Sequence, residues 1–178
     1  MVLKRTTNLL VFLVFSLSFS QNIDYSVLTI SKELLKNANA VLRVDNTQIE
    51  ISSLKSYKQS YTRVVTVLNE NGNSHIKAHV SYDNDIKVKH IDAVAYDKFG
   101  NVIKKFRNSD FEDVAAVSSI SLYEDSRVKY LDYTPTQYPY TLEFTYEITS
   151  ASTSRLRSRS STLPSSPQML ALAVTATT

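Results

Sequence analysis

This 178-residue chain has no cysteine and only two glycines. Without cysteine it forms no disulfide, no Cys-based zinc site, no thiol nucleophile and no lipid-modified N-terminal cysteine. An exported domain of this composition must rely on its core. With Gly72 and Gly100 as the only glycines there is no phosphate-cradling loop. Serines are plentiful, yet no Gly-x-Ser-x-Gly elbow is present. Long apolar runs are missing too. The stretch from Leu9 to Phe15 is too short to cross roughly 30 Å of hydrocarbon as a helix. Acidic residues are absent from Ser150 onwards.

What the chain has is 43% apolar residues and 11 tyrosines. Tyrosine and β-branched residues suit pleated, half-buried surfaces, so an ordered β-rich domain is expected. The net charge of +3 suggests nucleic acid until the charges are located. Lys4, Arg5, Arg155, Arg157 and Arg159 lie at the two ends. The middle therefore keeps 15 of the 20 Lys+Arg against all 17 Asp+Glu. The folded part is slightly acidic, and no nucleic-acid partner is expected.

Residues 1–20 read as a secretory signal peptide. Lys4 and Arg5 supply the positive end, Leu9–Phe15 the apolar stretch, and Ser18-x-Ser20 the cleavage site before Gln21. The expected product is exported, periplasmic or extracellular, with no membrane span after cleavage. Residues 21–149 form one domain. From Ser150 the texture changes, with 13 Ser+Thr in residues 150–178. That tail is expected to be disordered or frame-shifted.

Along the middle, Tyr25–Ile30 reads as a strand. Ser31 caps a short helix over Lys32–Asn37. Val41–Val44 and Ile49–Ile51 read as two strands around an Asp45-Asn46 turn, and Tyr57–Leu68 as a long strand. Asn71-Gly72 is placed to make a hairpin. From His75 to Tyr82 apolar residues alternate with polar ones, which predicts a strand with one wet face. Asp83–Asp85 is a turn. Ile86–Tyr96 is strand-like, with a phase slip at His90-Ile91 that predicts a bulge. Asp97–Asn101 turns back to Val102–Phe106. Ser109 and Glu112 have capping-box spacing, which predicts a helical turn begun by Asp110, Glu112 and Asp113. Ser121–Tyr133 reads as a strand region, and the two X-Pro pairs before Tyr140 as an extended link. In the last strand Leu142, Phe144, Tyr146 and Ile148 face in, while Thr141, Glu143, Thr145 and Glu147 face out. The pattern predicts a mainly β antiparallel sandwich with one short N-terminal helix and one helical turn.

The chemical constellations are weak. His75 and His79, on a strand, lie roughly 13 Å apart at about 3.3 Å per residue, too far for one ion. Asp83-Asn84-Asp85 opens like a calcium loop, but Val88 and Val94 occupy the positions that need Gly and an acid. Glu112-Asp113 and Glu124-Asp125 are adjacent pairs, which point to opposite faces of a strand. No catalytic, metal or cofactor-binding residue is assigned, and the chain is not expected to be an enzyme. Tyr123, Tyr130, Tyr133, Tyr138 and Tyr140 remain. Of these, Tyr133, Tyr138 and Tyr140 are the candidate binding surface, with Tyr138-Pro139-Tyr140 expected to be exposed.

Seven segments in order carry a resemblance. They are Ala38–Arg43, Val65–Gly72, Ala95–Asn101, Lys105 with Asp110-Phe111, Ser121–Asp125, Asp132–Pro135 and Tyr138-Pro139-Tyr140. Together they resemble the bacterial domain-of-unknown-function family found N-terminal to transglutaminase-like domains, over residues 24–149. The resemblance implies a β-sandwich in an exported protein, followed by a domain with a Cys-His-Asp triad. No cysteine is present to receive that chemistry. The implied role is a non-catalytic accessory domain of a transglutaminase-like protein, in a truncated product. Two alternatives are the N-terminal fragment of a cysteine hydrolase or transferase, and a free-standing module for a cell-envelope glycan or peptide.

Overall fold

The computed structural model describes residues 24–53, 55–116 and 125–151. The expected signal peptide, most of the 150–178 tail and the start of the Ser121–Tyr133 strand region lie outside them. Among the described residues, eight strands form two antiparallel sheets. They are β1 (Ala40–Ser53), β2 (Ser56–Val67), β3 (His79–Tyr82), β4 (Ile86–Tyr96), β5 (Val102–Phe106), β6 (Glu112–Ala115), β7 (Arg127–Tyr130) and β8 (Tyr140–Ser150). One sheet runs β1-β2-β8-β4-β5 and the other β3-β7-β6. The expected sandwich is what the chain forms. No described helix is long and apolar enough to cross a membrane.

Period-two burial explains where β8 lies. Leu142, Phe144 and Ile148 are each at most 2% exposed. They enter one core with Val65 and Val67 of β2, Ile91 and Ala93 of β4, and Val80 of β3. Phe111, just before β6, meets Phe144 at 6.0 Å between ring centres and so ties the small sheet to the large one. Burying each such side chain contributes about 1.5–3 kcal/mol.

Several local expectations need correction. Asp45 and Asn46 do not turn the chain, and β1 is one continuous strand. Asp45 lies opposite Arg63 in the register and pairs with it at 2.6 Å, so a cross-strand ion pair outweighs turn propensity. Tyr25–Ile30 is not a strand. Val27–Thr29 is a 3₁₀ turn whose cap, the Ser26 hydroxyl, accepts from Leu28 N–H. The helix after Ser31 forms but is shorter, Lys32–Leu35 (α1). Asn71-Gly72 makes no hairpin. Glu70–His75 is a 3₁₀ turn, with Gly72 buried against the Asn39 carbonyl. His75 belongs to that turn, so the strand there begins only at His79, although Ala78 and Val80 keep the predicted burial. The later helical turn is Asn108–Asp110. Its first N–H, from Arg107, donates to the Asp110 carboxylate at 2.7 Å. Glu112 and Asp113 therefore lie on β6 and not at a helix start.

The bulge in β4 is present. Val88 faces Ile148 and His90 faces Glu147, leaving Lys89 as the extra residue. Asp83 and Asp97 anchor their turns by accepting backbone N–H bonds two to four residues on.

Candidate functional site

The link from β7 to β8 carries the candidate tyrosines, and the structure gives each a different task. Tyr140 is 0% exposed and is therefore core, contrary to the expected exposure. Its hydroxyl donates to Asn73 Oδ1 at 3.1 Å, and the Asn73 amide donates to the Tyr138 hydroxyl at 2.7 Å. Tyr138 is half-buried and clamps the Glu70–His75 turn onto the link. The Tyr138–Pro139 peptide is cis. Tyr133 is half-buried, with its ring edge-on to Tyr140 at 5.8 Å and to Phe106 at 5.0 Å. Burial raises the pKa of both Tyr140 and Tyr133, so both stay neutral phenols at any ordinary pH.

Of the three, Tyr133 walls an open cleft that Tyr138 and Tyr140 do not line. That cleft holds about 360 Å³. One side is Tyr130, Leu131, Asp132, Tyr133 and Thr134. The other is Asn73 and the run from Ile76 to His79, with Leu142 at the floor. Tyr130 stands at its mouth, 37% exposed. Lys77, His79 and Asp132 bring charges of both signs to the rim.

The Lys77 rim is held in an uncommon conformation, with φ at +50°. Non-glycine residues rarely adopt it without support from their surroundings. Arg63 supplies that support. Its guanidinium donates to the carbonyls of His75 and Ile76 at 3.2 Å each, while also pairing with Asp45. The Lys77 carbonyl accepts from His79 N–H at 2.9 Å, and Leu131 N–H donates to the Ala78 carbonyl. Arg63 and Asn73 were invisible as site residues. The one signal was an arginine in the middle of an otherwise β-branched and aromatic run.

The remaining constellations resolve into structural contacts. Asp113 accepts from Tyr82 and Arg127 and lies 3.5 Å from Lys129. Asp125 accepts from Asn84 at 2.6 Å. Glu124 lies outside the described residues, as does Tyr123. His75 and His79 do not share a strand face. No group of three or more potential metal ligands occurs among the described residues.

Comparison with known proteins adds one family. The sequence pattern of a domain of unknown function, DUF3857, matches residues 54–169. That span begins after β1 and runs past Ser150, the limit expected from the resemblance. Among solved structures, one similar chain is the crystal structure of a "putative protease" from Parabacteroides distasonis ATCC 8503. It is 11% identical with a TM-score of 0.48. The likeness covers 63% of this chain and only 23% of that one. No curated protein matches.

Proposed function

We propose that this chain, which belongs to the DUF3857 family of domains of unknown function, is a non-catalytic accessory module of an exported transglutaminase-like protein. In this reading the tyrosine-walled cleft holds a peptide or glycan of the cell envelope. One observation carries the reading. Tyr130 and Tyr133 line an open cleft whose rim offers a lysine, a histidine and a carboxylate, and no thiol exists anywhere in the chain.

Aromatic rings with polar tips give contact area at low entropic cost, and flanking charges select the ligand. Charges of both signs favour a peptide over a neutral glycan. A module of this kind supplies binding and position, while acyl-transfer chemistry belongs to a partner domain with its own cysteine.

Two measurements test it. The full chain alone is expected to show no hydrolysis of, and no acyl transfer from, glutamine-containing peptides. Turnover would overturn the non-catalytic reading. The DNA downstream of this coding sequence is expected to encode a Cys-His-Asp domain, and its absence in all frames removes the transglutaminase association.

A further inference from the structure

A second cleft, of about 480 Å³, opens on the opposite side of β7. Adjacent strand residues point to opposite faces, so Tyr130 serves the first cleft and Lys129 this one. Its other walls are Val88–Asp92 of β4, at the bulge, and Arg107-Asn108 of the turn after β5.

Three cations meet here. Lys129 is the most enclosed, its side chain 16% exposed, with Nζ held by Asn108 Oδ1 at 2.9 Å and Asp113 at 3.5 Å. Lys89 is the residue that the bulge leaves without a partner on β8. Bulges commonly re-aim a side chain beside a functional site. Lys89 and Arg107 are exposed, and neither forms an ion pair among the described residues. The single carboxylate in the wall, Asp92, contacts His90, and the wall sets three cations against it. The cleft is thus cationic in a domain whose carboxylates outnumber its Lys+Arg.

We infer that this cleft binds a phosphate-bearing ligand. A guanidinium fork and two ammonium side chains lining one cleft match an anion that offers several oxygens in different directions, as a phosphate does. The volume accommodates more than a single phosphate, so a polyphosphate or a phosphodiester with its substituents fits. This site is independent of the tyrosine-walled cleft and stands whether or not that one binds.

The test uses the full chain, sodium tripolyphosphate in calorimetry, and vesicles of phosphatidylglycerol against phosphatidylcholine. Saturable binding of tripolyphosphate, weakened about tenfold or more in K89E/R107E and by added salt, supports a soluble ligand. Binding only to phosphatidylglycerol vesicles, lost in the same variant, supports a lipid headgroup. Binding of neither probe overturns the inference. So does equal binding by wild type and variant, which would leave Lys89 as no more than protection for the strand edge. Should the variant fail to fold, amide shifts of the wild type under tripolyphosphate decide. Shifts at Lys89, Arg107 and Lys129 support the site, and shifts confined elsewhere overturn it.

Discussion

The hydroxyls of Thr66 and Thr141 meet at 2.8 Å, and both residues are 0% exposed. They are register partners on β2 and β8. Thr141 also donates to the carbonyl of Tyr25 at 3.2 Å. Thr141 therefore has its proton committed to Tyr25, and Thr66 donates to Thr141. This relay fastens the segment before α1 across the outer face of the large sheet. Thr141→Val leaves the Thr66 hydroxyl without its acceptor and is expected to cost about 1–3 kcal/mol. The double variant T66V/T141V should cost less than the two single losses added together, by urea unfolding. Strict additivity would contradict the relay.

Asn73 joins Tyr138 and Tyr140 through both ends of its amide. Asn73→Ala should destabilise by about 1–3 kcal/mol, because the Tyr140 hydroxyl loses its acceptor in a buried setting. Tyr140→Phe removes only the donor and leaves the half-buried Asn73 Oδ1, which water can reach, so it should cost less. Equal losses in the two variants would mean that the hydroxyl finds another partner.

Gly72 has no room for a side chain. A Cβ there would lie 2.1 Å from the Asn39 carbonyl oxygen. Gly72→Ala should cost about 3 kcal/mol, at the upper end of overpacking penalties. A midpoint unchanged from wild type in chemical unfolding would show that the Glu70–His75 turn moves freely.

Much of this architecture was legible because burial in sheets follows a period of two. The inward set of β8 follows from it, and so does a bulge in β4, expected at His90-Ile91 and found at Lys89. What failed were local turn signals overruled by distant groups. Asp45-Asn46 looks like a turn until Arg63 stands opposite, and Asn71-Gly72 looks like a hairpin until Asn39 presses on the glycine. Tyr140 looked like surface because a tyrosine after proline carries no mark of the Asn73 amide awaiting it. The site was legible only as a tyrosine-rich segment. The residues that shape the cleft from the other side, Arg63 and Lys77, lie more than 50 positions before Tyr130 in sequence.

Acid stability should depend on Asp113. Desolvation raises its pKa, but hydrogen bonds from Tyr82 and Arg127 and the charges of Arg127 and Lys129 together hold it below the ordinary 3.8. A depressed carboxylate stabilises the fold above its unfolded value, and that contribution disappears as pH falls through the lower folded value. Asp113→Asn should therefore be less stable than wild type at pH 6, with the gap closing below about pH 4. A gap that persists at pH 2 would refute this linkage.

At the alkaline end, Tyr96 donates to Glu143 at 2.9 Å and stacks on Tyr25 at 4.0 Å. Burial first, and then Glu143, push the Tyr96 pKa up to about 12. The folded state holds this proton longer than the unfolded one, so stability is complete below the ordinary 10.0 and falls as pH rises towards 12. Glu143→Gln should lower the tyrosine titration midpoint seen by ultraviolet absorbance. No change would assign the shift to burial alone.

The accessory-module account is tested most directly by retention of the full chain on an array of cell-envelope peptides and glycans, comparing wild type with Tyr130→Ala and Tyr133→Ala. Tyr130 is partly exposed at the cleft mouth, so its loss should leave folding intact while weakening retention at least about fivefold, roughly 1 kcal/mol. Retention that is the same in all three proteins would contradict the account.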